Sequence, residues 1–148
     1  DLHGTNITDA DLVHLKDFKE LRHLDVRLTK IGDAGVGHFK HLTKLKFLNV
    51  FRTQMTDAGL KQLIRMKELE TLLMGGTKIS DSGLVALKAF PKLRKVSLFD
   101  TQISDRAITH LTIVTSLEIL LVGKSKVTEE GMATIQKALP KVRFTESI

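Results

Sequence analysis

Apolar residues recur along the chain with a period of 24. Cut at residues 1, 25, 49, 73, 97 and 121, the sequence falls into six lines, and six positions of the line are apolar in every one of them. The second position holds Leu2, Val26, Val50, Met74, Leu98 and Val122, and the seventh holds Ile7, Ile31, Met55, Ile79, Ile103 and Val127. Positions 12, 15, 18 and 24 behave the same way, running from Leu12, Leu15, Phe18 and Leu24 to Met132, Ile135, Ala138 and Phe144. Position 21 is leucine from Leu21 to Leu117 and fails only at Lys141, where Val142 takes its place one step late. A fixed period of this length marks a stack of repeated units.

The spacing within a line predicts its elements. Positions 12, 15 and 18 lie three apart, as in Leu60, Leu63 and Met66, which makes one face of a short helix. Leu72 and Met74 alternate around Leu73, as in a short strand with one face inward. Between strand and helix stands a polar phrase, TQMTDAGL at residues 53–60, which returns as TKIGDAGV, TKISDSGL and TQISDRAI and more weakly as TNITDADL and SKVTEEGM. Its fourth residue is a helix-capping type (Thr8, Gly32, Thr56, Ser80, Ser104, Thr128) and its fifth is always acidic, which suits the positive end of a helix. The leading Thr or Ser is expected to shape the bend after the strand, and Gly59 to keep the backbone close to the next unit. The apolar side chains of one line cannot offset the entropy of ordering its backbone, so neighbouring lines must share their faces. Identical units stacked alike give parallel strands, with the helices together on the other side.

The phrases L-x-x-L-x-V-x-x-T-x-I at Leu21–Ile31 and L-x-x-L-x-V-x-x-T-x-M at Leu45–Met55 resemble the leucine-rich repeat, and the likeness runs from Asp1 to Phe144. The D-A-G-L segment is similar to the ribonuclease-inhibitor-like and cysteine-containing subclasses and to long bacterial arrays of the T-x-I-T-D-A-G-L type. The resemblance implies an α/β solenoid, a right-handed horseshoe arc with a parallel sheet on the concave face and short helices on the convex face. It implies a single domain over 1-148 with repeats 1-24, 25-48, 49-72, 73-96, 97-120 and 121-144, cut from a longer array. It also implies a non-catalytic protein–protein interaction module that takes its partner on the concave sheet.

That face would present positions 23, 1 and 3, with position 4 at the rim. The expected partner-binding residues are Arg27, Phe47, Asn49, Phe51, Arg52, Leu73, Lys95, Phe99, Asp100, Ile119 and Leu121. The chain has seven Phe and no Trp or Tyr, and Phe47, Phe51 and Phe99 with Leu73, Ile119 and Leu121 form an expected exposed apolar band, rimmed by charge. Asp1, His3, His23 and Asp25 near the N-terminal end lack a metal-ligand spacing and read as surface residues. The repeated acid reads as a helix start rather than a calcium ladder. There is no phosphate-binding loop and no nucleophile elbow. No catalytic residue, metal or cofactor is expected.

Composition adds little beyond this. Absence of cysteine excludes disulfides and thiol chemistry but leaves the compartment open. The net charge of +6 comes mostly from scattered lysines, and binding of nucleic acid or another polyanion is the lesser alternative. A recognition or spacer arm of a larger enzyme or signalling protein is the other. No apolar run reaches 18 residues and residues 1–12 have no signal-peptide character, so no membrane partner is expected. The first line lacks its leading L-x-x-L, which predicts an open sheet edge, and with it further repeats or a cap before Asp1 or self-association at that edge.

Overall fold

Each line contributes one short strand to a single sheet, described here from a computed structural model that covers residues 1–145. Residues 146–148, the end of the expected domain, lie outside the described residues. The strands are β1 (His23–Asp25), β2 (Phe47–Asn49), β3 (Thr71–Leu73), β4 (Lys95–Ser97), β5 (Ile119–Leu121) and β6 (Arg143–Phe144). They lie in sequence order and every neighbouring pair is parallel. The register equals the sequence period, His23 opposite Phe47 opposite Thr71 opposite Lys95, so each column of the sequence becomes a row across the sheet. The ladder continues past the strands: Leu28 donates its N–H to Phe51 O at 2.9 Å and Arg52 to Gly75 O at 2.8 Å. Leu2 and Gly4 donate likewise to Asp25 O and Arg27 O, so residues 2–4 line the β1 edge.

The convex side departs from one regular helix per line. α1 (Asp33–Phe39), α2 (Asp57–Gln62), α3 (Ile108–Leu111) and α4 (Glu129–Ala138) are α-helical, while Asp9–Asp17, Asp81–Ala89 and Asp105–Ala107 are wound as 3-10 helix. Segments of nine residues or fewer gain little from α-helical cooperativity, so the tighter 3-10 winding competes with the α form. Between the two layers the apolar columns meet as predicted, with Phe39, Leu48, Leu72 and Phe90 at 0–1% exposure. In the first repeat the same columns are only half-buried at Leu2, Ile7, Leu15 and Leu21.

Two devices join strand to helix. Position 4 has a left-handed backbone in all six lines, with φ between 52° and 66° at Gly4, Leu28, Arg52, Gly76, Asp100 and Lys124. This turns the chain out of the sheet, and it does so at four residues that carry a Cβ, a conformation disfavoured for L-residues. The following Thr closes the bend, as expected: Thr29, Thr53, Thr77 and Thr101 donate their hydroxyls to Val26 O, Val50 O, Met74 O and Leu98 O at 2.6–2.8 Å.

The repeated acid has a role the sequence reading missed. It does not simply face its own helix; it grips the next repeat. Asp33 accepts the Thr56 N–H at 2.8 Å and the Thr56 hydroxyl at 2.6 Å. Asp57 does the same to Ser80 at 2.9 and 2.6 Å and also accepts from Ser82. Asp81 holds Ser104, Asp105 holds Thr128, and Asp9 takes the N–H of Gly32. The glycine two residues after the acid is correspondingly a seat for the previous repeat's carboxylate, not a close approach to the next one. A Cβ built at Gly59 would collide with Asp33 Oδ1, and one at Gly83 with Asp57 Oδ1.

Ion pairs also follow the period. Glu20–Lys44, Lys46–Glu70, Glu68–Lys92 and Arg94–Glu118 each join residues 24 apart, at 2.6–2.9 Å. The hydrogen bond from Lys44 holds the Glu20 carboxyl below its ordinary 4.5, Lys46 does so for Glu70, and Arg94 for Glu118. A carboxylate whose pKa is lower in the folded state stabilises that state above its unfolded pKa, and the contribution disappears as pH falls through the folded value. Melting temperature is therefore expected to fall on acidification below about pH 4.5. The Lys44→Met/Lys46→Met variant should show a shallower fall, and molar salt should reduce the difference between the two proteins. Parallel pH profiles for variant and parent would show that these pairs contribute nothing.

Candidate functional site

On the concave face the outward strand positions form three rows, and they are not equally available. The central row, position 1, is Asp25, Asn49, Leu73, Ser97 and Leu121, and all five are buried, at 6, 1, 2, 0 and 0% exposure. Leu73 and Leu121 were expected to be exposed; they are floor instead. Parallel strands stand about 4.8 Å apart, and on a concave sheet the central side chains are pressed together and covered from both sides by positions 23 and 3. The half-buried residues are Arg27, Phe47, Phe51, Lys95, Phe99 and Ile119, while Arg52 and Asp100 are exposed at the rim.

Two of the three aromatic rings are seated on glycine. Position 3 reads Phe51, Gly75, Phe99, Gly123, and each ring leans over the glycine of the following strand. A Cβ at Gly75 would stand 2.9 Å from Phe51 Cδ2, and one at Gly123 would stand 3.1 Å from Phe99 Cδ2. Large and small residues thus alternate, and the edge of each ring occupies the space that a side chain on the next strand would fill. Each carries a cation from position 4: Arg52 lies 5.2 Å from the Phe51 centroid and Lys124 lies 5.4 Å from that of Phe99. Phe51–Arg52 and Phe99–Lys124 are therefore two aromatic–cation units two repeats apart. The alternation of Phe and Gly at position 3 was the signal in the sequence that could have revealed them. Between Leu73 and Leu121 in the register sits Ser97, whose Oγ is the buried side-chain polar atom without a hydrogen-bond partner among the described residues.

The N-terminal half of the face is polar and internally bonded. Asp25 accepts the Arg27 N–H at 3.1 Å, Asn49 accepts the Phe51 N–H at 3.1 Å, and the Asn49 amide donates to Asp25 at 3.2 Å. Arg27 Nε lies 3.6 Å from Asp25. His23 stacks on Phe47, centroids 3.9 Å apart and planes 2° from parallel, and His3 bonds Asp1. Asp1 and His3 thus pair with each other, while His23 and Asp25 are engaged elsewhere, and no three His, Asp or Glu among the described residues converge on a metal-sized site.

Comparison with known proteins agrees with this architecture. The family described as Leucine Rich repeat matches residues 20–37 and 41–63. No curated protein sequence matches the chain. Among solved structures, an internalin from Listeria monocytogenes is similar over 97% of this chain, with 22% identity and a TM-score of 0.76. A leucine-rich-repeat protein of Leptospira interrogans is similar over 90%, with 18% identity and a TM-score of 0.60. The chain spans 39% of the length of each. At such identities the likeness shows the fold, and the fold is the one built above from the columns, the parallel sheet and the bends. The chain has the leucine-rich-repeat fold, and part of it, residues 20–37 and 41–63, matches the family itself.

Proposed function

We propose that this chain is a non-catalytic protein-interaction module that seats a protein partner on the middle and C-terminal parts of its concave face. The fold is a common protein–protein interaction scaffold, and the observation that carries the choice of face is the pair of aromatic–cation units, Phe51–Arg52 and Phe99–Lys124. Rings braced by an edge against glycine and paired with a cation offer an amphipathic surface, the composition found at the centres of interfaces. Lys95 and Ile119 flank the units, Asp100 adds a charge at the rim, and Leu73 and Leu121 support them from beneath. Arg27, Phe47 and Asn49 would bound the contact on its polar side.

The reading is tested by capture of interacting proteins with the parent chain and with Phe51→Ser/Phe99→Ser, both checked for unchanged circular dichroism. Loss of two central anchors is expected to weaken a concave-face partner by about a hundredfold or more. Partners recovered equally by both proteins would place binding elsewhere.

A further inference from the structure

The lysines that look scattered in sequence are gathered by the period onto one flank. Positions 16 to 22, which lead from the end of each convex segment to the start of each strand, hold thirteen of the chain's 23 Lys and Arg but five of its 17 Asp and Glu. Their net charge is +8, against −2 for everything else. Across the first three repeats this flank forms a groove of about 540 Å³ whose lining includes Arg22, Lys44, Lys46, Arg65, Lys67 and Glu68. Four of the five acids of the flank are already engaged: Glu20, Glu68, Glu70 and Glu118 are each taken by one cross-repeat pair. Arg22, Lys40, Arg65 and Lys88 make no ion pair among the described residues.

The same positions expose aliphatic side chains. Ile64 is 44% and Ile113 57% exposed, in two columns that also hold Lys16, Lys40, Lys88, Arg65 and Lys137. We infer that this flank docks peripherally on an anionic phospholipid surface, the cations meeting headgroups and the two isoleucines entering the boundary of the acyl region. A nucleic acid or sulfated glycan would satisfy the charge but would leave the isoleucines in water. Single-stranded bases would moreover call for a run of stacking rings, whereas Phe90 is buried and the exposed rings of these positions are Phe18 and His41 at the N-terminal end. Surface docking of this kind needs no spanning segment, and no helix among the described residues is long and apolar enough to be one.

The experiment is co-sedimentation with phosphatidylcholine vesicles with and without phosphatidylserine. The chain should bind only the anionic vesicles, and added salt should weaken it. Arg22→Glu/Arg65→Glu/Lys67→Glu should lower the apparent affinity on the order of a hundredfold. Lys30→Glu/Lys78→Glu/Lys126→Glu, an equal charge change on the opposite flank at exposed positions, should have much the smaller effect. Ile64→Ser/Ile113→Ser should lower affinity several-fold at unchanged charge. Equal effects of the two triple variants would reduce the behaviour to net charge and overturn the flank. An unaffected isoleucine variant, or binding to duplex DNA or heparin without binding to vesicles, would overturn the lipid.

Discussion

Asp57→Ala is expected to destabilise the chain by about 2–3 kcal/mol, well beyond a typical surface substitution. The carboxylate accepts three hydrogen bonds from the next repeat, from the Ser80 N–H, the Ser80 hydroxyl and the Ser82 hydroxyl. Ser80 is half-buried, so its amide would lose a charged acceptor where water replaces it poorly. Gly83→Ala should also destabilise, by about 1–3 kcal/mol, because its Cβ would fall on the same carboxylate. The informative result is the combination. With the Asp57 carboxylate gone the seat is vacant, and alanine is favoured over glycine in a helical segment by up to about 1 kcal/mol. The double variant should therefore be no less stable than Asp57→Ala alone, a favourable coupling of about 1–3 kcal/mol in a double-mutant cycle measured by urea unfolding. Strict additivity of the two losses would mean that Asp57 and Gly83 do not share a space.

That latch shows where the sequence was readable and where it was not. The columns at positions 2, 7, 12, 15, 18, 21 and 24 revealed the period, the parallel register and the core, because burial on a periodic backbone leaves a periodic trace. The DAG of the phrase was visible as well, but its acid was assigned to its own helix. Local rules of helix capping act within a few residues, whereas Asp33 and Thr56 meet across 23. The ion pairs at a spacing of 24 were missed for the same reason, although Glu20, Lys44, Glu68 and Lys92 alternate in sign down one column. On the concave face the alternation of strand residues placed Phe51, Leu73 and Phe99 on the correct side of the sheet. Exposure did not follow from side: Leu73 is 2% exposed, since crowding on a concave surface depends on curvature and on the rings that lie over neighbouring glycines. The left-handed position 4 left the weakest signal, a mixture of Gly4, Gly76, Asp100 and three bulkier residues, because the bend is imposed by the stack and tolerates a Cβ at local cost.

Curvature and stacking also break the equivalence of residues that share a column, and Phe90 and Phe18 measure by how much. Both stand at position 18, yet Phe90 is 1% exposed and Phe18 is 57% exposed. Phe90 has repeats packed on both sides, with Met66 and Val114 in its column fully or nearly buried. Phe18 belongs to the first repeat and is covered on one side only. Phe90→Ala removes a buried ring and leaves a void that close-packed neighbours fill only partly, so a loss of about 3–5 kcal/mol is expected. Phe18→Ala gives up less burial and opens no cavity, and should cost below about 1 kcal/mol. Because a repeat array is held together by nearest-neighbour interfaces, the Phe90 void should also weaken the coupling between its two halves. A lower urea m-value or a second transition in Phe90→Ala, absent from Phe18→Ala, would report that uncoupling. Equal losses for the two variants would contradict a core whose protection comes from neighbouring repeats rather than from the column itself.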